Sequence, residues 1–131
     1  MTSHYLLDTH ILIWWLEEPR KLSRQQTRVI EDAERLQRTV GVSSITLLEL
    51  AVLDNRRSLR ADVKEVLEAL RNNPLFEIIP FTLDIAAETA GLTSFRDPAD
   101  RAIVATALVR RLKLLTADED IIESNLVSVV D

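Results

Sequence analysis

Asp8, Glu49, Asp100 and Asp118 stand far apart along the 131-residue chain, each beside an apolar run. Asp8 interrupts the segment YLLDTHILIWWL, Tyr5 to Leu16, in which nine of twelve residues are apolar or aromatic. An ionised carboxylate buried without a partner is strongly disfavoured. Two carboxylates ~4 Å apart repel by about 4 kcal/mol at an effective dielectric near 20. Four that converge must therefore take up protons or a counter-ion. A hard divalent cation such as Mg²⁺ or Mn²⁺ answers that need, because its ligands are carboxylate and water oxygens. The chemistry it supports is activation of water and neutralisation of charge on a phosphodiester. A lone general base would need no three companions.

Each acid also has a structural reading. Asp8 can cap a helix beginning near Ile11. Glu49 completes Thr46-Leu47-Leu48-Glu49, a capping-box pattern. Asp97, followed by Pro98, reads as a helix cap, and Asp100 three residues later suits the positive end of the helix dipole. Asp118 competes with Glu119 and Asp120 for any role in LLTADED. Thr116 and Thr9 have hydroxyls suited to orienting a neighbouring carboxylate or a bound water. His10 reads as a ligand or as a helix-packing side chain, and His4 as surface or strand edge. Trp14 and Trp15 read as core or oligomer contacts. Of the scattered arginines, Arg56 and Arg57 lie two turns beyond Glu49 and Arg101 adjoins Asp100; these are candidate phosphate contacts.

The elements that must bring these residues together follow from periodicity. Short β-branched and leucine runs predict strands over 4–7, 39–43, 76–79, 112–115 and 126–130. Helices are expected over 11–17, over 24–38 behind a Ser23 cap, and over 45–55. Others are expected over 60–72 from Ser58, over 82–92, and from Pro98 to Arg111. The last contains AIVATALV, apolar nearly all round, so it should be deeply buried. Strands alternating with helices indicate a three-layer α/β/α sandwich around a mainly parallel five-stranded sheet. No linker or repeat divides the chain, and residues 1–131 read as a single domain. In such sheets ligands gather at the carboxyl ends of the strands, where strand order switches. Asp8 ends the first strand and Asp118 follows the fourth. Glu49 and Asp100 lie on helices that can reach the same rim.

Composition removes several alternatives. The chain is 47% hydrophobic and 28% charged, as expected of a folded globular protein. It has no cysteine, so neither disulfides nor thiolate metal sites are available; a reducing cytoplasm is the expected location. The opening apolar stretch is shorter than the ~20 residues of a membrane span and carries a central Asp, so no membrane association is expected. Gly41 and Gly91 are the only glycines, which excludes a Walker loop or a GxGxxG turn. A net charge of −5 disfavours phosphate contacts, although two bound divalent cations would reduce it to −1. A dehalogenase-like phosphatase would place an Asp two residues after Asp8, where this chain has His10.

LLDTHILIWWL, VSSITLLELA, RDPADRAIVATAL and LLTAD occur in an order and spacing that resemble PIN-domain proteins. They look most like the VapC-type toxins of type II toxin–antitoxin pairs. The resemblance spans Tyr5 to the terminal strand. It implies that Asp8, Glu49, Asp100 and Asp118 are the catalytic, metal-holding acids of an endoribonuclease using Mg²⁺ (or Mn²⁺). Thr116, Thr9 and Asp97 would support them, and Asp120 or Glu119 would be able to share Asp118's role. A metal-activated water would then hydrolyse RNA phosphodiester bonds. The resemblance further implies a cognate antitoxin partner and a homodimer, or a hetero-oligomer with the antitoxin. A catalytically silent PIN-like binding or assembly module is the alternative.

Overall fold

A computed structural model describes residues 3–53 and 61–131. Five strands, β1 (Tyr5–Leu7), β2 (Val40–Ser43), β3 (Phe76–Ile79), β4 (Lys113–Leu115) and β5 (Val129–Val130), pair in the order β3-β2-β1-β4-β5. Every pairing is parallel. Seven helices are described: α1 (Thr9–Glu17), α2 (Arg24–Arg35), α3 (Ser44–Leu53), α4 (Val63–Asn72), α5 (Leu83–Gly91), α6 (Pro98–Arg110) and α7 (Glu119–Ser124).

Strand side chains alternate between two faces, and each face has its own core. Leu7, Val40, Val42 and Leu115 point to the layer holding Ile11, Ile30, Leu50 and Leu70, from α1 to α4. Leu6, Ile79 and Leu114 point to the layer holding Ile85, Ile103, Ala107 and Ile121, from α5 to α7. The expected three-layer sandwich is therefore present. Helix α6 is buried continuously from Ala102 to Ala107, and the hydroxyl of Thr106 within it donates to the Ala102 carbonyl at 2.7 Å.

Several boundaries differ from the sequence reading. Helix α2 stops at Arg35, because Gln37 takes a left-handed backbone (φ 55°). The last strand is only Val129–Val130, shorter than the expected 126–130 run. Asp62, not Ser58, caps α4 by accepting from the Lys64 amide at 3.0 Å. Ser58, Arg56 and Arg57 lie outside the described residues, as does the expected end of α3 beyond Leu53. Helix α7 was not anticipated: Asp118 caps it, and Glu119 and Asp120 form its first turn.

Gly41 allows the central sheet to pack. A Cβ there would lie 2.5 Å from Ile79 Cδ1 and 3.2 Å from the Tyr5 carbonyl oxygen, and Ile79 is fully packed in the second core. Valine has the higher β propensity, yet Gly41→Val is expected to destabilise the protein by about 1–3 kcal/mol through overpacking. Urea unfolding checks this; a gain in stability would contradict the packing described.

Candidate functional site

The strand order reverses between β1 and β4, where two successive runs of chain leave the centre of the sheet in opposite directions. These strands end in register, Leu7 beside Leu115, and the Asp8 amide donates to the Leu115 carbonyl at 2.9 Å. That single backbone bond sets Asp8 next to Thr116. The Thr116 hydroxyl donates to Asp8 Oδ2 at 2.7 Å and accepts from the Asp118 amide at 3.1 Å. Thr116 thus ties the first and fourth acids together. Asp8 is also the cap of α1, accepting from the Thr9 amide at 2.8 Å. Its two structural roles use both oxygens and leave further lone pairs on each.

Glu49 reaches the same place from α3. The Thr9 hydroxyl donates to Glu49 Oε1 at 2.5 Å and lies 3.0 Å from the Thr46 hydroxyl. A hydroxyl has one proton, so Thr46 must donate to Thr9, and the bonds run in one direction, Thr46 to Thr9 to Glu49. Thr46 lies inside α3 and does not cap it, so the expected capping box with Glu49 is absent. Asp97 caps α6, accepting from the Ala99 amide at 2.9 Å, and Asp100 occupies the first turn behind it.

Asp8, Glu49, Asp97, Asp100 and Asp118 line one cavity of about 320 Å³. Their protonation behaviour reflects burial and crowding. Burial pushes the Asp100 carboxyl up, and the charges of Asp97, Asp8, Asp118 and Glu49 add to it, bringing the pKa to about 7. Asp8, only 7% exposed, is raised by burial. The Thr116 hydroxyl, the Thr9 amide and His10 pull it back, and Asp118 raises it. Glu49 is raised by burial and lowered by the Thr9 hydroxyl. Asp118 also caps α7 through Oδ1, whereas Glu119 and Asp120 are exposed residues of the α7 first turn.

Among the described residues, no three carboxylate or imidazole groups stand close enough together to grip a metal ion directly. The donor chemistry nevertheless fits a hard cation. The cavity offers carboxylate oxygens and no sulfur, and Mg²⁺ retains several waters and takes only one or two carboxylates directly. Raised carboxyl pKa values at this spot also mark a place where positive charge would be favourable. Asp8, Asp100, Asp118 and Glu49 are the residues that would hold it.

The sequence reading missed Gln26, buried at 2% exposure on α2. Its carboxamide accepts from the Ser23 amide at 3.1 Å in a capping box. The same group donates to the Thr116 carbonyl at 3.1 Å and to the Val130 carbonyl at 3.0 Å. Gln26 therefore clamps the backbone of the threonine that holds Asp8 and Asp118. The S-x-x-Q pattern was available as a signal, but the long-range half of its bonding was not. Trp14, read as core or oligomer contact, lines the acid cavity together with His10. Arg101, a candidate phosphate contact, instead donates through Nε to the Phe95 carbonyl and fastens the loop before α6.

Comparison with known proteins gives a consistent pattern. Residues 5–124 match the family model described as PIN domain. The chain is 36% identical over 117 residues to Ribonuclease VapC22 of Mycobacterium tuberculosis, covering 86% of this chain and 85% of that protein. It superposes on a chain of a toxin–antitoxin complex from Klebsiella pneumoniae with a TM-score of 0.67 and 25% identity, covering 97% and 96% of the two chains. VapBC2 from Rickettsia felis, solved bound to a promoter DNA fragment, gives a TM-score of 0.73 at 17% identity over 96% of each chain, and supports the fold.

Two outcomes follow from the geometry. Asp100, with an ordinary value of 3.8 and a folded value of about 7, binds more protons when folded than when unfolded. Its contribution to stability in EDTA is therefore present below about pH 4 and is lost as pH rises towards 7. Asp100→Asn is expected to raise the Tm in EDTA at about pH 8 and to leave it nearly unchanged at about pH 4; equal Tm values at the higher pH would contradict the crowding. Gln26→Leu leaves the buried Thr116 carbonyl without its side-chain donor, and a loss of about 1–3 kcal/mol is expected in urea unfolding.

Proposed function

The chain belongs to the PIN-domain family, and we propose that it is a metal-dependent endoribonuclease acting as the toxin of a toxin–antitoxin pair. The observation that carries this reading is the convergence of Asp8, Glu49, Asp100 and Asp118 on one cavity at the sheet's switch point. The similarity to a ribonuclease over most of both chains supports the reaction type. When bound, Mg²⁺ (or Mn²⁺) supplies an activated water and charge neutralisation on the phosphodiester.

The chain's own residues have separable tasks. Asp8, held by Thr116 and the Thr9 amide, is the fixed anchor of the cation site. Asp118, whose amide is bound to the same threonine, faces it across the cavity. Asp100, whose carboxyl is raised to about 7 by burial and by its acidic neighbours, would give up its proton in favour of a bound cation. Glu49, oriented through Thr46 and Thr9, closes the site from α3. Asp97 stays a helix cap and adds negative field.

A protein partner belongs to this reading. The Klebsiella pneumoniae neighbour is a toxin–antitoxin complex, which supports an antitoxin here, with a homodimer or a hetero-oligomer as the assembly. Beside Glu49, a second cavity of about 440 Å³ is walled by Ile45, Leu48, Val52 and Phe81, and Leu48 is 61% exposed. Such an apolar surface suits a protein–protein contact. No helix of the described residues is long and apolar enough to cross a membrane.

Asp8→Asn and Asp100→Asn are each expected to lower RNA cleavage by about 100-fold or more, with the circular dichroism spectrum of the parent retained. Excess EDTA should abolish cleavage and added Mn²⁺ restore it. Cleavage that persists in EDTA would contradict the proposal. Absence of measurable Mn²⁺ binding by calorimetry would favour the silent assembly-module alternative.

A further inference from the structure

The acid cavity poses a problem for an RNA ligand. Phosphate contacts with Lys and Arg supply most non-specific affinity for nucleic acids, yet no Lys or Arg lines this cavity among the described residues, and the chain carries −5 overall. A strand entering here must be held by something other than its charge. Two aromatic side chains, His10 and Trp14, stand beside the acids in the cavity lining. His10 and Trp14 are four residues apart on α1 and share one helix face. Both rings line the acid cavity, with centroids 6.4 Å apart and planes tilted by 56°. His10 is exposed and Trp14 half-buried. Beyond them, in the turn Pro19–Lys21, the Lys21 ammonium lies 5.7 Å from the Trp14 ring centroid and 3.5 Å from Glu18. From the acids outward, α1 and the following turn therefore present imidazole, indole and ammonium in sequence.

We propose that His10 and Trp14 form a stacking site for an unpaired nucleobase adjacent to the scissile phosphate, with Lys21 facing the next phosphate along the strand. The proposal rests on the nuclease reading above and adds the subsite that would hold a base beside the reacting phosphate, which requires a base free to leave its stack. Base-on-aromatic stacking is tolerant of base identity and contributes without charge, which suits a site that repels phosphate. The Lys21 ammonium on the indole is the cation–π partner such platforms employ. Duplex RNA keeps its bases stacked inside the helix and has no face to offer this strip.

The test uses the full chain with Asp8→Asn, to prevent cleavage, and Trp15→Phe, so that Trp14 is the sole indole. Titration with single-stranded oligoadenylate is expected to quench Trp14 fluorescence. A ribose-phosphate chain of equal length without bases, and an adenine–uracil duplex, should not. His10→Ala in the same background should raise the oligoadenylate Kd about tenfold. Because Trp14 also packs against the first core, His10→Ala keeps the test independent of folding. In the chain with Asp8 intact, His10→Ala should raise KM for a single-stranded substrate with kcat within about twofold. Equal quenching by the abasic chain, or an unchanged Kd in His10→Ala, overturns the proposal. The binding assay reads the strip whether or not the protein cleaves RNA, so its failure is separable from failure of the nuclease reading, which Asp8→Asn cleavage decides.

Discussion

The backbone bond from the Asp8 amide to the Leu115 carbonyl is the contact on which the site depends. It closes the parallel pairing of β1 with β4 at the point where the sheet changes direction. Parallel strands require long crossovers, so residues far apart in the chain meet here by topology alone. Asp8 and Thr116 are separated by 108 positions and hydrogen-bonded at 2.7 Å. A register slip of one residue would send each strand leucine to the opposite layer, and the distinct packing of the two hydrophobic layers holds the register against that.

Around this contact the polar groups form a supported shell. Gln26 fixes the Thr116 backbone, Thr116 fixes Asp8 and the Asp118 amide, and Thr46 acts through Thr9 on Glu49. Among the described residues, no buried side-chain nitrogen or oxygen lacks a partner. The strain in the design is electrostatic instead: burial and mutual repulsion raise Asp8, Glu49 and Asp100 together. The fold holds in place a cluster of like charges whose repulsion a cation would relieve, and partners of this kind strengthen metal binding where they fix its ligands.

Much of this was legible in the sequence because local patterns and topology agree. Short β-branched and leucine runs, as in VGVS and LLT, and the all-round apolar AIVATALV, settle which elements are strands and which helix lies deepest. Asp8, Asp100 and Asp118 could be marked because each sits at an element boundary, where a carboxylate has a local reason to be. The alternatives posed for Asp8 are not exclusive, since one carboxylate caps α1 and faces the cavity. What stayed hidden depends on distance in the fold. Gln26 looks like an ordinary capping residue until β4 and β5 pass beside it. Helix α7, at six residues, is too short to show a periodicity. Thr46 gains its role only because α3 packs against the start of α1.

The central claim is that these acids constitute one cation site. A crystal grown or soaked with Mn²⁺ and measured at its absorption edge tests this most directly. The account predicts an anomalous peak inside the acid cavity, with Asp8 and at least one of Asp100 and Asp118 among its neighbours. Saturating Mn²⁺ with no peak between these carboxylates would contradict it.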